Sequence, residues 1–193
     1  MAKQLVAVNT TKLPKWANGV IAVGSVALVG FIAYIIYKSL KKRSEQKNET
    51  QTINQIKDDL KNNLATGGKL TWANQLSVYN TACNTIQRLL DGCEYVESEL
   101  EVVKTICEVV KTQADWLKMQ EVWGIRELEN CLTWGKTKYN LGDALADQMD
   151  WTTTTGSMSK DWVVGGYAFK KGKRWSNSID MIKEYFASKN IKF

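Results

Sequence analysis

Residues 94–123, EYVESELEVVKTICEVVKTQADWLKMQEVW, contain the longest helical pattern in the folded part of the chain and decide the expected fold. Apolar side chains recur there at alternating spacings of three and four residues, which places them on one face of a helix. Glutamates and lysines recur at the same spacings on the other face, as on a solvated surface. The pattern therefore predicts one long amphipathic helix, whose stripe is Leu100, Val103, Cys107, Val110, Ala114 and Leu117.

Two further helices are predicted on the N-terminal side of this stretch. Residues 71–90 carry a second stripe, with Thr71 as the expected N-cap and Asp91-Gly92 as a tight link to the long helix. The link makes these two helices an antiparallel pair. A shorter amphipathic helix is predicted over residues 52–65, and Gly67-Gly68 follows it.

The C-terminal side is predicted to be helical with one irregular region. Residues 125–134 indicate a short helix, and Asn140 is a suitable cap for another at 141–150. Residues 151–177 are rich in glycine, threonine, aromatic and basic residues, which favours a long loop or an irregular hairpin. A last helix is expected at about 178–188, followed by a docked tail.

Residues 16–37, WANGVIAVGSVALVGFIAYIIY, contain no charged side chain. A helix of that length spans roughly 33 Å, close to the ~30 Å hydrocarbon core of a bilayer. A buried core helix and a cleaved signal peptide are the alternative interpretations of this apolar run. Its length and the cations after it favour a retained transmembrane anchor. The expected anchor residues are Trp16, Gly24, Gly30, Tyr34 and Tyr37, and the expected headgroup-facing residues are Lys38, Lys41, Lys42 and Arg43.

The predicted fold is therefore all-α, with one transmembrane helix followed by a small helical domain. The segments are a tail at 1–15, the span at 16–37, a basic juxtamembrane linker at 38–52 and the helical domain at 53–193. Residues 1–49 hold eight basic and two acidic groups, whereas residues 50–193 hold eighteen of each. The distribution of Lys and Arg around the span favours an N-terminus outside and a cytoplasmic C-terminal domain, and hence a single-pass membrane localisation.

The composition excludes most catalytic chemistry. The chain has no histidine, which removes histidine-based catalysis and histidine metal sites. It also lacks phosphate-binding and dinucleotide-binding glycine motifs. Four cysteines show no metal-ligand spacing, and either free buried thiols or two disulfides remain possible. No catalytic, cofactor-binding or metal-binding residue is predicted, and the one enzymatic alternative is a membrane-anchored wall-cleaving glycosidase that uses carboxylates such as Glu94, Glu97 or Glu99.

Cations and aromatic residues alternate near the C-terminus. Lys170, Lys171, Lys173 and Arg174 lie between Phe169 and Trp175, and we expect these four cations to bind a partner. A nucleic acid or headgroup surface has such a composition, but so has a loop whose rings fill the domain core. Lysine outnumbers arginine 22 to 4, which disfavours nucleic acid as the partner.

Two motifs resemble known proteins. WGIREL (123–128) and the terminal SKNIKF (188–193) are similar to sequences of small proteins of tailless, lipid-containing bacteriophages of Flavobacterium-type hosts. The helix pair of residues 71–150 resembles an annexin-type repeat without its calcium loop. The phage resemblance implies a structural virion protein that links an internal lipid membrane to capsid or vertex proteins, with self-association possible. The virion protein is the main expectation. A cellular bitopic membrane adaptor and the wall-cleaving enzyme are the two alternatives to it.

Overall fold

The computed structural model describes residues 15–92, 96–130, 135–149, 153–154 and 161–193. Within these ranges it describes the side chains of all residues except 15–36, 39, 40, 43, 96, 130, 153 and 154. The chain divides into two units, Met1–Asn48 and Glu49–Phe193. The described helices are α1 (Lys15–Ala65), α2 (Ser77–Leu90), α3 (Val96–Val109), α4 (Gln113–Trp123), α5 (Leu141–Gln148) and α6 (Ile179–Ser188), and the described strands are β1 (Arg126–Asn130), β2 (Gly135–Tyr139), β3 (Thr153–Thr154), β4 (Trp162–Val164), β5 (Tyr167–Phe169) and β6 (Arg174–Trp175).

The predicted membrane-spanning helix over residues 16–37 is corrected by the structure. Helix α1 does not end after the apolar run but continues to Ala65, and its described side chains from Tyr37 onward are mainly charged and polar. Among the described residues, no helix combines the length and the apolar character that crossing a membrane requires. The predicted single-pass localisation in a virion membrane, with a cytoplasmic C-terminal domain, is overturned by this finding.

The residues assigned to the anchor and to its flank all lie on α1. The side chains of Trp16, Gly24, Gly30, Tyr34 and Arg43 lie outside the described set. Tyr37 is 65% exposed, and Lys38, Lys41 and Lys42 are exposed as well. The predicted roles of these residues in contacting lipid are not tested by the described side chains and stay predictions.

Helices α2, α3, α4 and α6 surround the main hydrophobic core of the second unit. The predicted α2 stripe is buried at Tyr79, Cys83, Ile86 and Leu90, which are inaccessible to solvent. Its first predicted member, Leu76, precedes the helix and is 46% exposed. The end of α1 adds a smaller cluster, in which Leu60 packs against Ala114 and Leu117 of α4. Helix α5 begins after Asn140, whose side chain accepts a hydrogen bond from the Asp143 amide, so the predicted cap is confirmed.

The long helix predicted over residues 94–123 is interrupted where α3 ends at Val109 and α4 begins at Gln113. Thr112 and Asp115 form a reciprocal capping box that starts α4. The Asp115 carboxylate is fully buried and also accepts hydrogen bonds from Thr71 and Tyr79. Thr71 was predicted to cap α2, but α2 starts six residues later, at Ser77. Because α4 starts anew at this break, the Asp115 carboxylate joins α4 to Thr71, before α2, and to Tyr79, within α2.

Six short strands correct the all-α prediction. Residues 125–134 were expected to be helical, but 126–130 form β1, which pairs antiparallel with β2 in the register Leu128↔Thr137. Along β1, Leu128 is buried whereas Glu127 and Glu129 are exposed. This alternation of apolar and charged side chains suits a half-buried strand better than a helix. Strands β3 and β6 form a second antiparallel pair, and β4 and β5 a third.

The thiols of Cys83 and Cys107 are free and buried. Burial raises the pKa of each thiol to about 12, so almost no reactive thiolate is present at pH 8. In a Cys93→Ser, Cys131→Ser background, we expect a thiol probe to react with native protein more than ~100-fold more slowly than with free cysteine. Denatured protein should take up two equivalents without prior reduction. Rapid uptake by the native protein would show that the two thiols are accessible.

Candidate functional site

The predicted partner-binding cations follow directly after a β-hairpin formed by β4 and β5. Strands β4 and β5 pair in the register Trp162↔Phe169, and Gly165 and Gly166 form the connecting turn with φ of 61° and 79°. Such positive φ values favour glycine. A Cβ on Gly165 would lie 1.8 Å from the Cys107 carbonyl oxygen, so the Gly165-Gly166 turn at the tip of the hairpin rests directly on the backbone of α3.

Lys111 connects this hairpin to the end of α3. Its Nζ donates hydrogen bonds to the carbonyl oxygens of Cys107, at 2.8 Å, and Gly165, at 2.9 Å. A cation at a helix C-terminus stabilises the unpaired carbonyls there. Burial lowers the pKa of Lys111. The hairpin is therefore attached to the helical core by polar contacts at its tip.

The aromatic residues of the hairpin are part of the domain core. Phe169 and Trp175 are buried, and Trp162 and Tyr167 pack against the same cluster. The rings of Tyr167 and Phe169 meet edge to face, with centroids 4.8 Å apart. The alternative in which these rings fill the core is thus confirmed for Phe169 and Trp175, whereas Trp162 and Tyr167 are half-buried.

Glu184 on α6 contacts residues before, within and after the turn that carries the four cations. Its Oε1 accepts a hydrogen bond from the Tyr167 hydroxyl at 2.6 Å, and its Oε2 accepts one from Trp175 Nε1 at 2.9 Å and pairs with Lys173 Nζ. Partial burial by itself raises the pKa of Glu184, but the hydrogen bonds from Lys173, Tyr167 and Trp175 outweigh it and lower the pKa. The carboxylate therefore stays ionised at neutral pH and holds both strands that flank the turn.

We call residues 170–174 the cationic turn. All four of its cations, Lys170, Lys171, Lys173 and Arg174, are exposed, as the sequence predicted for a partner-binding surface. Lys173 Nζ pairs with Glu184 and lies 5.1 Å from the centroid of the Trp175 ring. The Lys171 amide donates to Asp161 Oδ1 at 2.8 Å. The turn therefore concentrates positive charge on a backbone that is held at several points.

Sequence reasoning missed Glu184 and Asp161. Glu184 is 17 residues from Tyr167 and 11 from Lys173, so no local spacing connects them. One weak signal existed, because Glu184 is adjacent to the buried Tyr185 on α6 and so lies at the edge of its apolar face. The two acids are the groups that anchor the predicted site.

The carboxylates of the enzymatic alternative are described only in part. Glu97 is exposed and Glu99 is buried on α3, and Glu94 lies outside the described residues. In the part of the chain that the structure describes, no group of three or more Cys, Asp or Glu side chains is arranged to hold a metal ion.

Comparison with known proteins gives no family assignment. No protein-family model matches the chain, and neither a curated protein nor a solved structure matches it. The resemblances to phage proteins and to an annexin-type repeat gain no support from these comparisons.

Proposed function

We propose that this chain is a non-enzymatic structural and interaction protein that joins a larger protein assembly through its cationic turn. The observation that carries the proposal is the arrangement of residues 170–174, in which exposed cations stand on a base that buried rings and Glu184 hold. The virion predicted from the sequence remains the proposed assembly, with shell or vertex proteins as partners. The membrane link is not part of the proposal.

The cationic turn is better suited to binding than to folding. Exposed ion pairs contribute only ~0–1 kcal/mol each to stability, so selection for stability alone does not require four adjacent cations. A held turn loses little conformational freedom on binding, which favours affinity. Clustered charge also steers and orients a partner of opposite charge. The expected contact is an acidic patch on a partner protein.

This surface can be tested by neutralising Lys170, Lys171 and Arg174 together. We expect Lys170→Gln, Lys171→Gln, Arg174→Gln to lower incorporation into the native assembly ~10-fold while the melting temperature stays nearly unchanged. Lys173 is kept because it pairs with Glu184. Incorporation is measured by quantitative mass spectrometry of purified assemblies, at low salt and at higher salt. Wild-type incorporation should fall with salt, because the ~8 Å Debye length of physiological buffer shortens further.

A matched control removes the same charge elsewhere. Lys57, Lys61 and Lys69 are exposed and lie outside the turn, so Lys57→Gln, Lys61→Gln, Lys69→Gln should leave incorporation at the wild-type level. Equal incorporation of the turn variant and the wild type at low salt would exclude the cationic turn as the contact surface. The acidic helices of residues 88–150 would then be the next candidate.

A further inference from the structure

An open groove of about 390 Å³ lies between α2 and α3. Its volume falls within the ~300–1,000 Å³ range that is typical of small-ligand sites. Val78, Ala82 and Val109 contribute apolar surface, and two glutamates, Glu101 and Glu108, line the α3 side. The groove therefore combines apolar lining with negative charge at its edge.

Hydroxyl groups complete the lining of this groove. Thr81 and Thr85 of α2 and Thr105 of α3 contribute oxygens that accept hydrogen bonds. A lysine has an apolar stem and an ammonium group with three donors, so both parts of its side chain find matching surface here. Lys104 pairs with Glu101 at 3.2 Å, and Glu108 is exposed. The groove has the chemistry of a site for lysine side chains.

The charge distribution of the chain indicates which lysines these are. Residues 88–150 hold seven basic and thirteen acidic groups, whereas residues 151–193 hold eight basic and three acidic groups. Two contacts that hold the cationic turn, with Asp161 and Glu184, are made outside the acidic segment. The turn is thus held by α6 and by the residue that precedes β4, and the groove lined by α2 and α3 is open to a second molecule.

We propose that the α2–α3 groove binds the cationic turn of a second copy of this chain. The inference rests on the proposed function, and it names the acidic partner as the chain itself. The turn and the groove are different patches of one molecule, so the contact is heterologous and repeats from copy to copy. Such a contact builds a ring or a chain of subunits, which suits a structural protein.

The test uses charge reversal in the full chain. The turn variant is Lys170→Glu, Lys171→Glu, Arg174→Glu, and the groove variant is Glu101→Lys, Glu108→Lys. Fluorescence anisotropy of a labelled copy, titrated with unlabelled copies, measures each affinity. We expect each variant to bind itself at least ~10-fold more weakly than the wild type binds itself. The turn variant should bind the groove variant with near wild-type affinity, because that mixture keeps one intact turn and one intact groove.

A charge-swapped chain that carries both sets of substitutions should regain self-association, and this result separates a charge effect from misfolding. Glu101→Gln, Glu108→Gln is the milder groove variant, and thermal melting checks the fold of every protein. Equal self-association of the wild type and both variants would overturn the inference. Self-association that survives in the turn variant, together with its failure to enter the native assembly, would overturn the inference and leave the proposed function intact. Loss of self-association in the turn variant with normal entry into the assembly would instead overturn the proposed function.

Discussion

Replacement of Asp115 by alanine is expected to destabilise the second unit by ~4 kcal/mol or more, which is a large part of the ~5–15 kcal/mol that a typical domain has. The fully buried carboxylate accepts hydrogen bonds from the amide and hydroxyl of Thr71, at 2.8 and 2.6 Å, and from the Tyr79 hydroxyl. It also accepts from the amides of Lys111 and Thr112, both at 3.0 Å. Alanine removes all five acceptor contacts at once. Each donor left buried without a partner costs ~1–3 kcal/mol.

Chemical denaturation of the full chain measures this effect, with two milder variants for comparison. Asp115→Asn keeps one carbonyl oxygen and should lose roughly half as much stability as alanine. Tyr79→Phe removes one donor and leaves four, so its loss should be ~1 kcal/mol. An Asp115→Ala protein whose unfolding free energy lies within ~0.5 kcal/mol of the wild type would show that the carboxylate does not hold this region together.

Replacement of Gly165 by alanine should be the second most damaging change, at ~3 kcal/mol or more. The new Cβ would lie 1.8 Å from the oxygen and 2.4 Å from the carbon of the Cys107 carbonyl. These are backbone atoms of α3, so no flexible side chain can move aside. The hairpin would have to lift from the helix, and Lys111 would lose its hydrogen bond to the Gly165 carbonyl.

The neighbouring Gly166 provides a matched control. It also has a positive φ, of 79°, but a Cβ there would meet nothing within 4 Å. Gly166→Ala should therefore cost only the ~1–2 kcal/mol of a left-handed backbone conformation. The difference between the two unfolding free energies isolates the contact with α3. If both alanine variants melt alike, the hairpin is not seated on α3 as the structure describes.

Parts of the fold that depend on near neighbours were predictable. The stripe of α2 and the capping of α5 by Asn140 follow from contacts within a few residues along the chain. The four exposed cations of the cationic turn were also found, because they are adjacent in sequence and charged groups favour water. In each case the deciding interactions are local.

Other predictions failed because a short pattern supports two structures. The apolar spacing of residues 125–134 predicted a helix. Charged and apolar residues also alternate in Arg126-Glu127-Leu128-Glu129, as they do in a half-buried strand. Its pairing with β2 decided between them. In residues 94–123 the continuous apolar stripe favoured one long helix. Thr112 and Asp115 also fit a capping box, which starts a separate helix in the structure.

The sequence by itself determined the amphipathic helices, the absence of histidine chemistry and the place of the cationic turn, since composition and periodicity act over one or two turns of chain. Only the tertiary structure decided the strand pairs, the break between α3 and α4, and the anchoring of the turn. For β1–β2 and for the break between α3 and α4, the reason is that one local pattern fits two structures. For the anchoring of the turn and of the Asp115 region, it is distance along the chain. Tyr79 reaches Asp115 across 36 residues, and Tyr167 reaches Glu184 across 17, so these hydrogen bonds exist only after the core has brought the segments together.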